Sequence, residues 1–140
     1  MSRKGRGKRF LFVCVHNSGR SQMAEAFTRH LSNGAVEAES AGTQPSTGVN
    51  PIVVEAMAEV GIDLAGHYPK VISQEMVNRA DSVFTMGCSI DESCPATFVP
   101  SEDWGLEDPA GNDIEHVRRI RDQIKAKVRE LLRDCGNGDP

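Results

Sequence analysis

Long hydrophobic runs are missing from this chain. Its longest apolar stretch, residues 10–15, falls far short of the ~20 residues that a membrane-crossing helix needs. The basic opening, residues 1–9, is followed by neither an adequate apolar segment nor a small-residue cleavage site, so no secretory leader is expected. Residues 1–8 read as a solvated, disordered lead-in rather than a nucleic-acid-binding arm. An excess of positive charge is also missing. The formal net charge of −4 gives no global attraction to nucleic acid or to an acidic membrane. An anionic substrate would need a site built locally. No nucleotide-cofactor motif is present, so any nicotinamide would be used by a separate protein. Cysteines number four: Cys14, Cys88, Cys94 and Cys135. Without a secretory signal they do not form a disulfide framework by default, and in a reducing cytoplasm such thiols serve catalysis, redox exchange or metal binding. Structural zinc prefers cysteine pairs about two to four residues apart. Five residues separate Cys88 from Cys94, and no second pair is evident, so no metal site is expected.

What remains is an ordinary globular composition over 140 residues, enough for one domain with its own core. The expected domain covers 9–135, with a flexible tail at 136–140. Residues 10–13 form a short, buried apolar run that predicts a parallel strand. A turn over 14–20 leads to a predicted helix over 21–31, with Met23, Ala24, Phe27 and Leu31 on one face. A second strand is expected over 36–40. Asn50-Pro51 signals a helix start and Gly61 its end, with Val53, Val54, Met57, Ala58 and Val60 on the apolar side. A short helix is expected over 73–80 and a third strand over 82–86. Residues 87–113 look irregular, with a short strand near Phe98. The clearest helix spans 114–135, with Ile114, Val117, Ile120, Ile124, Val128 and Leu131 at helical spacing. Alternating strands and helices predict an α/β open parallel sheet with helices on both faces. Ligands in such sheets bind beyond the carboxyl ends of the strands. The turns after the first and third strands lie at that edge, and they carry Cys14 and Cys88.

The first turn reads Cys14-Val15-His16-Asn17-Ser18-Gly19-Arg20-Ser21. Five residues between Cys14 and Arg20 suffice to wrap the backbone into a bowl whose amides face one anion. The following helix adds its partial positive charge. Arg20 supplies a planar donor pair. Donors that bind an oxyanion also favour the thiolate of Cys14, which makes it a nucleophile. Ser21 is positioned to donate to that thiolate. Asn17 suits a left-handed backbone conformation within the loop. His16 is expected to point outward, because the loop backbone does the binding.

Residues 12–14 and 20–25 resemble the start of the low-molecular-weight tyrosine phosphatase fold, and more closely the arsenate reductases built on it. Further matching motifs are Ser40-Ala41-Gly42-Thr43, Val60-Gly61-Ile62-Asp63, Thr85-Met86-Gly87-Cys88 and the stretch from Glu102 to Asp108-Pro109. The resemblance implies a single-domain, low-molecular-weight phosphotyrosine phosphatase-like fold with four parallel strands. It also implies a cytoplasmic enzyme that reduces arsenate to arsenite. Cys14 would attack arsenic, and Asp108 would act as general acid from an Asp-Pro turn that stiffens its backbone. Reduction needs two electrons, so a second thiol is required; the resemblance implies Cys88. Cys94 would then resolve the Cys14–Cys88 disulfide, leaving Cys88–Cys94 for thioredoxin. Closing that pair brings the Cα atoms within about 7 Å, so flexibility is expected at 87–100. Cys135 is expected to be an unremarkable thiol.

The chain departs from the family pattern in two places. Gly19 stands where many relatives carry a further cysteine. Relatives that bind potassium do so through an asparagine, a glutamate, a serine and an aspartate. Asn17, Glu25 and Ser40 match, but Lys70 stands at the aspartate position, where its ammonium would replace the ion and support the thiolate. No tightly bound cofactor is implied. Mycothiol is the alternative reductant. A protein tyrosine phosphatase is the alternative enzyme, though an aryl substrate wants aromatic walls and Trp104 is the nearest candidate. A non-catalytic oxyanion or redox sensor is the third reading.

Overall fold

A computed structural model of the chain describes residues 8–86, 102–106 and 113–134. Eight elements follow in order: β1 (Arg9–Cys14), α1 (Arg20–Leu31), β2 (Glu37–Gly42), α2 (Pro51–Ala58), α3 (Gln74–Arg79), β3 (Ser82–Thr85), β4 (Glu102–Asp103) and α4 (Ile114–Leu132). All four strands run parallel in the order β2-β1-β3-β4. The chain leaves β1 to one side through α1 and returns to its other side for β3. The carboxyl end of β1 is therefore the topological switch point, where open parallel sheets place their ligands. Cys14 is the last residue of that strand.

Alternation along β1 builds two cores. Phe10, Phe12 and Cys14 face a cluster with Met23, Phe27, Met57, Val117, Ile120, Ile124 and Val128 from α1, α2 and α4, joined by Phe84 of β3 and Trp104 just after β4. Leu11 and Val13 face the other side, with Ala41, Ile72, Val77 and Val83, where α3 covers the sheet. The ring of Phe84 lies 5.5 Å from Phe12 and 5.3 Å from Trp104. Burial on both faces explains why β1 reads as a continuous apolar run.

Local chemistry sets the helix ends. Asn50 Oδ1 accepts from the Ile52 amide at 3.0 Å, with Pro51 next in the first turn. At the other end Gly61 has φ +84°, and the amide of Ile62 donates back to Met57 O. Ser73 and Asp113 cap α3 and α4. Among the described residues no helix is long and apolar enough to cross a membrane.

Several expectations shift. The second strand runs on to Gly42, past the expected end at 40, because Val13 and Cys14 continue to pair with Ala41 and Gly42. Among the described residues the fourth strand is Glu102–Asp103; the strand expected near Phe98 lies outside the described residues. Ala58 is exposed and Ala56 is buried in its place. The angular step of the helix turns Ala58 away from α4. The last helix ends at Leu132, and Leu132 rather than Leu131 is its last buried side chain. Residues 1–7, Cys135 and the tail lie outside the described residues.

Charge ties α2 to α4. Arg118 and Arg121 both bond the Glu59 carboxylate, and Arg121 also donates to Ala56 O at 2.9 Å. Hydrogen bonds from Arg118 first, then Arg121, outweigh desolvation and hold Glu59 at about 2, against an ordinary 4.5. The folded state thus keeps this carboxylate ionised where the unfolded chain protonates it. Its contribution is fully present above pH 4.5 and is lost as pH falls through about 2. Glu59→Gln is expected to lower the melting temperature by a few degrees at neutral pH. It should also flatten the fall of stability across that acid window, as read by thermal melts at stepped pH. An unchanged pH slope would rule the linkage out.

Candidate active site

Cys14 closes β1, and the chain then turns through residues 15–19 before α1 begins at Arg20. The carbonyls of this turn are all claimed from outside it. Val15 O accepts from the Gln44 amide at 2.8 Å, and His16 O from the Ser46 amide at 3.0 Å. Asn17 O accepts from Gln22 Nε2 at 3.1 Å. Ser18 O and Gly19 O accept from the amides of Asn50 and Met23, each at 2.9 Å. No peptide in the described chain is cis. In a trans peptide the carbonyl and the next N–H point opposite ways, so outward carbonyls turn the following amides inward. The Asn17 amide shows the inside: it donates to Cys14 Sγ at 3.2 Å. Asn17 sits at φ +51°, the left-handed conformation expected of it. The result is a nest of amides at a helix N-terminus with the sulfur at its floor.

A second set of donors reaches the sulfur through side chains, and its polarity is fixed. The backbone amide of Lys70 meets Asn17 Oδ1 at 2.8 Å. A backbone N–H only donates, so this atom is the amide oxygen. Asn17 Nδ2 therefore donates to Ser21 Oγ, at 2.6 Å. Ser21 Oγ lies 3.0 Å from Cys14 Sγ. A thiolate has no proton to give, so on ionisation Ser21 must be the donor. The chain from Lys70 N–H to sulfur thus favours the thiolate at every link.

Gln22 locks this arrangement. It is fully buried, and its Nε2 donates to Asn17 O, Asn17 Oδ1 and Tyr68 O. Gly42 leaves room for it. A Cβ there would lie 2.5 Å from Val15 O and 3.0 Å from the Asn17 amide. Its own amide donates to Lys70 O and its carbonyl accepts from Ile72, which fastens the 68–72 segment beside the turn.

Arg20 is 5% exposed, and its Nη1 donates to Met86 O at 2.9 Å and Leu106 O at 3.1 Å. These carbonyls lie just past β3 and β4. Glu25 is buried. It accepts from Ser40 Oγ, pairs with Arg29 at 2.9 Å, and lies 3.9 Å from Lys70 Nζ. The ammonium of Lys70 is thus near Glu25, as expected, but its backbone amide makes the direct contact with the sulfur's network. His16 is exposed, with Nδ1 3.0 Å from Gln44 O. Trp104 is buried against Phe12 and Phe84.

Cys14, Asn17 and Ser21 therefore converge, with Val15, His16, Ser18 and Gly19 supplying backbone, while the Arg20 guanidinium donates to Met86 O and Leu106 O. Cys88, Cys94 and Asp108, and the flexibility expected at 87–100, lie outside the described residues. The sequence reading gave no role to Gln22, Gly42 or the Lys70 backbone. Gln22 lies about 100° from Met23 and about 200° from Ala24 around the helix, off the apolar face, so the sequence pattern did not mark it as buried. Among the described residues no cluster could hold a metal ion.

The polarity of the donor chain is testable by alkylation of Cys14 with iodoacetamide at neutral pH. Ser21→Ala removes the last donor and should slow alkylation roughly tenfold, the scale of one hydrogen bond to a charged group. Asn17→Ala removes the links behind it and should slow it further. Equal rates in all three proteins would contradict the network.

Comparison with known proteins adds the relatives. Residues 9–137 match the family model for low molecular weight phosphotyrosine protein phosphatase. A putative arsenate reductase of Halobacterium salinarum is 41% identical over 136 residues, covering 94% of this chain and 95% of that one. A solved arsenate reductase in the phosphate-binding state superposes with a TM-score of 0.81 at 37% identity, covering 91% of this chain and 98% of its own. A thioredoxin-dependent arsenate reductase of Corynebacterium glutamicum superposes with a TM-score of 0.77 at 34% identity, covering 94% of this chain and 63% of its own. With a thiol at the switch point of a matching sheet and a family model spanning nearly the whole sequence, the chain belongs to the low molecular weight phosphotyrosine protein phosphatase family.

Proposed function

We propose that the chain reduces arsenate to arsenite. The observation that carries this is the Cys14 sulfur on the floor of an amide nest, with hydrogen bonds polarised toward the thiolate. Such a nest suits a small tetrahedral dianion, and arsenate, unlike phosphate, has a central atom that thiols can reduce by two electrons. The relatives named as arsenate reductases support the reading.

In this mechanism the nest and Arg20 bind arsenate. The Cys14 thiolate forms an S–As bond while Asp108 gives a proton to the departing oxygen, which leaves as water. Cys88, as thiolate, attacks the sulfur of Cys14. The S–As bond breaks, its electron pair stays on arsenic, and arsenite departs as a Cys14–Cys88 disulfide forms. Cys94 attacks that disulfide and leaves Cys88–Cys94, which thioredoxin reduces. Covalent geometry supports these roles. Cys88 follows Met86 by two residues and Asp108 follows Leu106 by two, a span of at most about 7 Å. Met86 and Leu106 both contact Arg20. A thioredoxin-dependent relative supports the choice of reductant. Such a relay belongs in the reducing cytoplasm.

Lys70 and Glu25 take a supporting role in this reading, with the ammonium standing where relatives hold a cation. Because the backbone amide of Lys70 survives substitution, Lys70→Met should lower the arsenate rate only ~2–5-fold. Potassium should not accelerate the parent protein. An unchanged rate in the variant would remove the ammonium from the mechanism.

The decisive experiment is a single turnover of fully reduced protein with arsenate and no external reductant. One arsenite per chain is expected, with two thiols lost to a Cys88–Cys94 disulfide mapped by mass spectrometry. Cys94→Ser should still release one arsenite but stop turning over with thioredoxin. Arsenite released only after addition of a small thiol such as mycothiol would replace the internal relay with an external one. Hydrolysis of an aryl phosphate without any arsenite would make the chain a phosphatase.

A further inference from the structure

Arg20 does more in this fold than face an anion. Its Nη1 carries two hydrogens, and both have acceptors: Met86 O at 2.9 Å and Leu106 O at 3.1 Å. Met86 is the first residue past β3, and Leu106 is the third past β4. Each follows a strand at the carboxyl edge of the sheet, one after β3 and one after β4. The strand ladder stops just before them. The Met86 amide still bonds Val13 O at 3.0 Å, and the Trp104 amide bonds Thr85 O at 2.8 Å. One guanidinium nitrogen therefore fixes the points at which two chain segments leave the sheet. It does so from the first residue of α1, whose backbone closes the amide nest. An arginine so buried, with two carbonyls bridged by one planar group, is a rigid spacer between the nest and both exits.

We propose that Arg20 is a positioning residue for the second thiol and the acid, in addition to its contact with the anion. Its Nη1 bridge between Met86 O and Leu106 O sets where the chain bearing Cys88 and the chain bearing Asp108 start, relative to Cys14 Sγ. The proposal rests on the thiol-relay reading above. A lysine at this position keeps the charge but has a compact ammonium, which does not span two carbonyls while offering a planar pair. The anion is not needed for the bridge, so the two roles separate in an experiment that contains no oxyanion.

The experiment uses Cys94→Ser/Cys135→Ser protein, in which Cys14 and Cys88 are the remaining thiols. One equivalent of dithiobis(nitrobenzoate) is added and the coloured thiolate is followed. In the first phase a protein thiolate attacks the reagent and one nitrobenzoate thiolate leaves. In the second, the other protein thiol gives its proton to water and attacks the protein-side sulfur. A Cys14–Cys88 disulfide forms and the second nitrobenzoate thiolate leaves. The reagent is the oxidant throughout. The second phase reads how readily the two sulfurs meet, and its ratio to the first phase separates that from thiolate reactivity.

Relative to the first phase, the second is expected to slow roughly tenfold or more in Arg20→Lys and in Arg20→Gln, the scale of an ångström-sized misplacement. Circular dichroism and Trp104 emission check that each variant is folded, and either variant alone carries the test. An unchanged ratio of the two phases would overturn the proposal and leave Arg20 as an anion ligand only. A second phase that slows in step with the first would overturn it too, because the loss would then be one of thiolate reactivity. Absence of any second phase before Arg20 is altered would instead sink the Cys14–Cys88 relay itself.

Discussion

Five consecutive peptide carbonyls must face away from the sulfur of Cys14, and five donors must meet them there. The donors come from Gln44, Ser46, Asn50, Gln22 and Met23. Remove that outer ring and the turn loses the partners of all five carbonyls, including those of buried Asn17 and Gly19, where an unpaired acceptor is costly. With the ring in place the opposite peptide edges face inward, and the Asn17 amide meets the sulfur of Cys14. The irregular path between β2 and α2 is thereby explained. Residues 44–50 wrap the outside of the turn, and Asn50 uses its amide on Ser18 and its side chain to start α2. Gly42 follows from the same constraint, since no side chain fits between β2 and the carbonyl of Val15.

An unusual share of polar groups is buried around this turn: Asn17, Ser21, Gln22, Glu25 and Ser40. Such a cluster is destabilising when any member lacks a partner and rigid when none does. Among the described residues no buried side-chain nitrogen or oxygen is left unsatisfied. The low local dielectric then works for the site, because each hydrogen bond aimed at the sulfur is stronger than it would be in water. Gln22 shows how tightly this is specified. Its nitrogen serves the turn and the 68–72 segment at once, so the nest and the strap beside it move as one body.

Chemistry and fold meet again at Arg20. Its residue number belongs to α1, but its hydrogen bonds belong to the exits of β3 and β4. In an open parallel sheet the carboxyl edge is where loops converge, and the order β2-β1-β3-β4 puts β3 next to the nucleophile's strand with β4 beyond it. The rings of Phe12 and Phe84 stack and Trp104 tilts against both, which ties those three strands together beneath the site. Trp104 is thus a core residue of the sheet edge, and the scarcity of other aromatics suits a site for a small inorganic ion.

Local patterns determined much of this protein. The apolar run at 10–13, the cysteine and arginine with five residues between them, the Asn-Pro start and glycine end of α2, and the period of α4 all act through near neighbours. Each produced the element it signalled. The left-handed Asn17 and the outward His16 were legible for the same reason. Tertiary structure decided the rest. It set the strand order, the choice of Ala56 over Ala58 and Leu132 over Leu131, the fourth strand at Glu102–Asp103, and the use of the Lys70 backbone amide where its ammonium was expected. The physical reason is range. A helix period or a cap is fixed within a few residues, whereas the partners of the nest and of Arg20 are backbone groups far along the chain. Backbone amides and carbonyls are the same at every position, so only the folded path distinguishes the ones that matter.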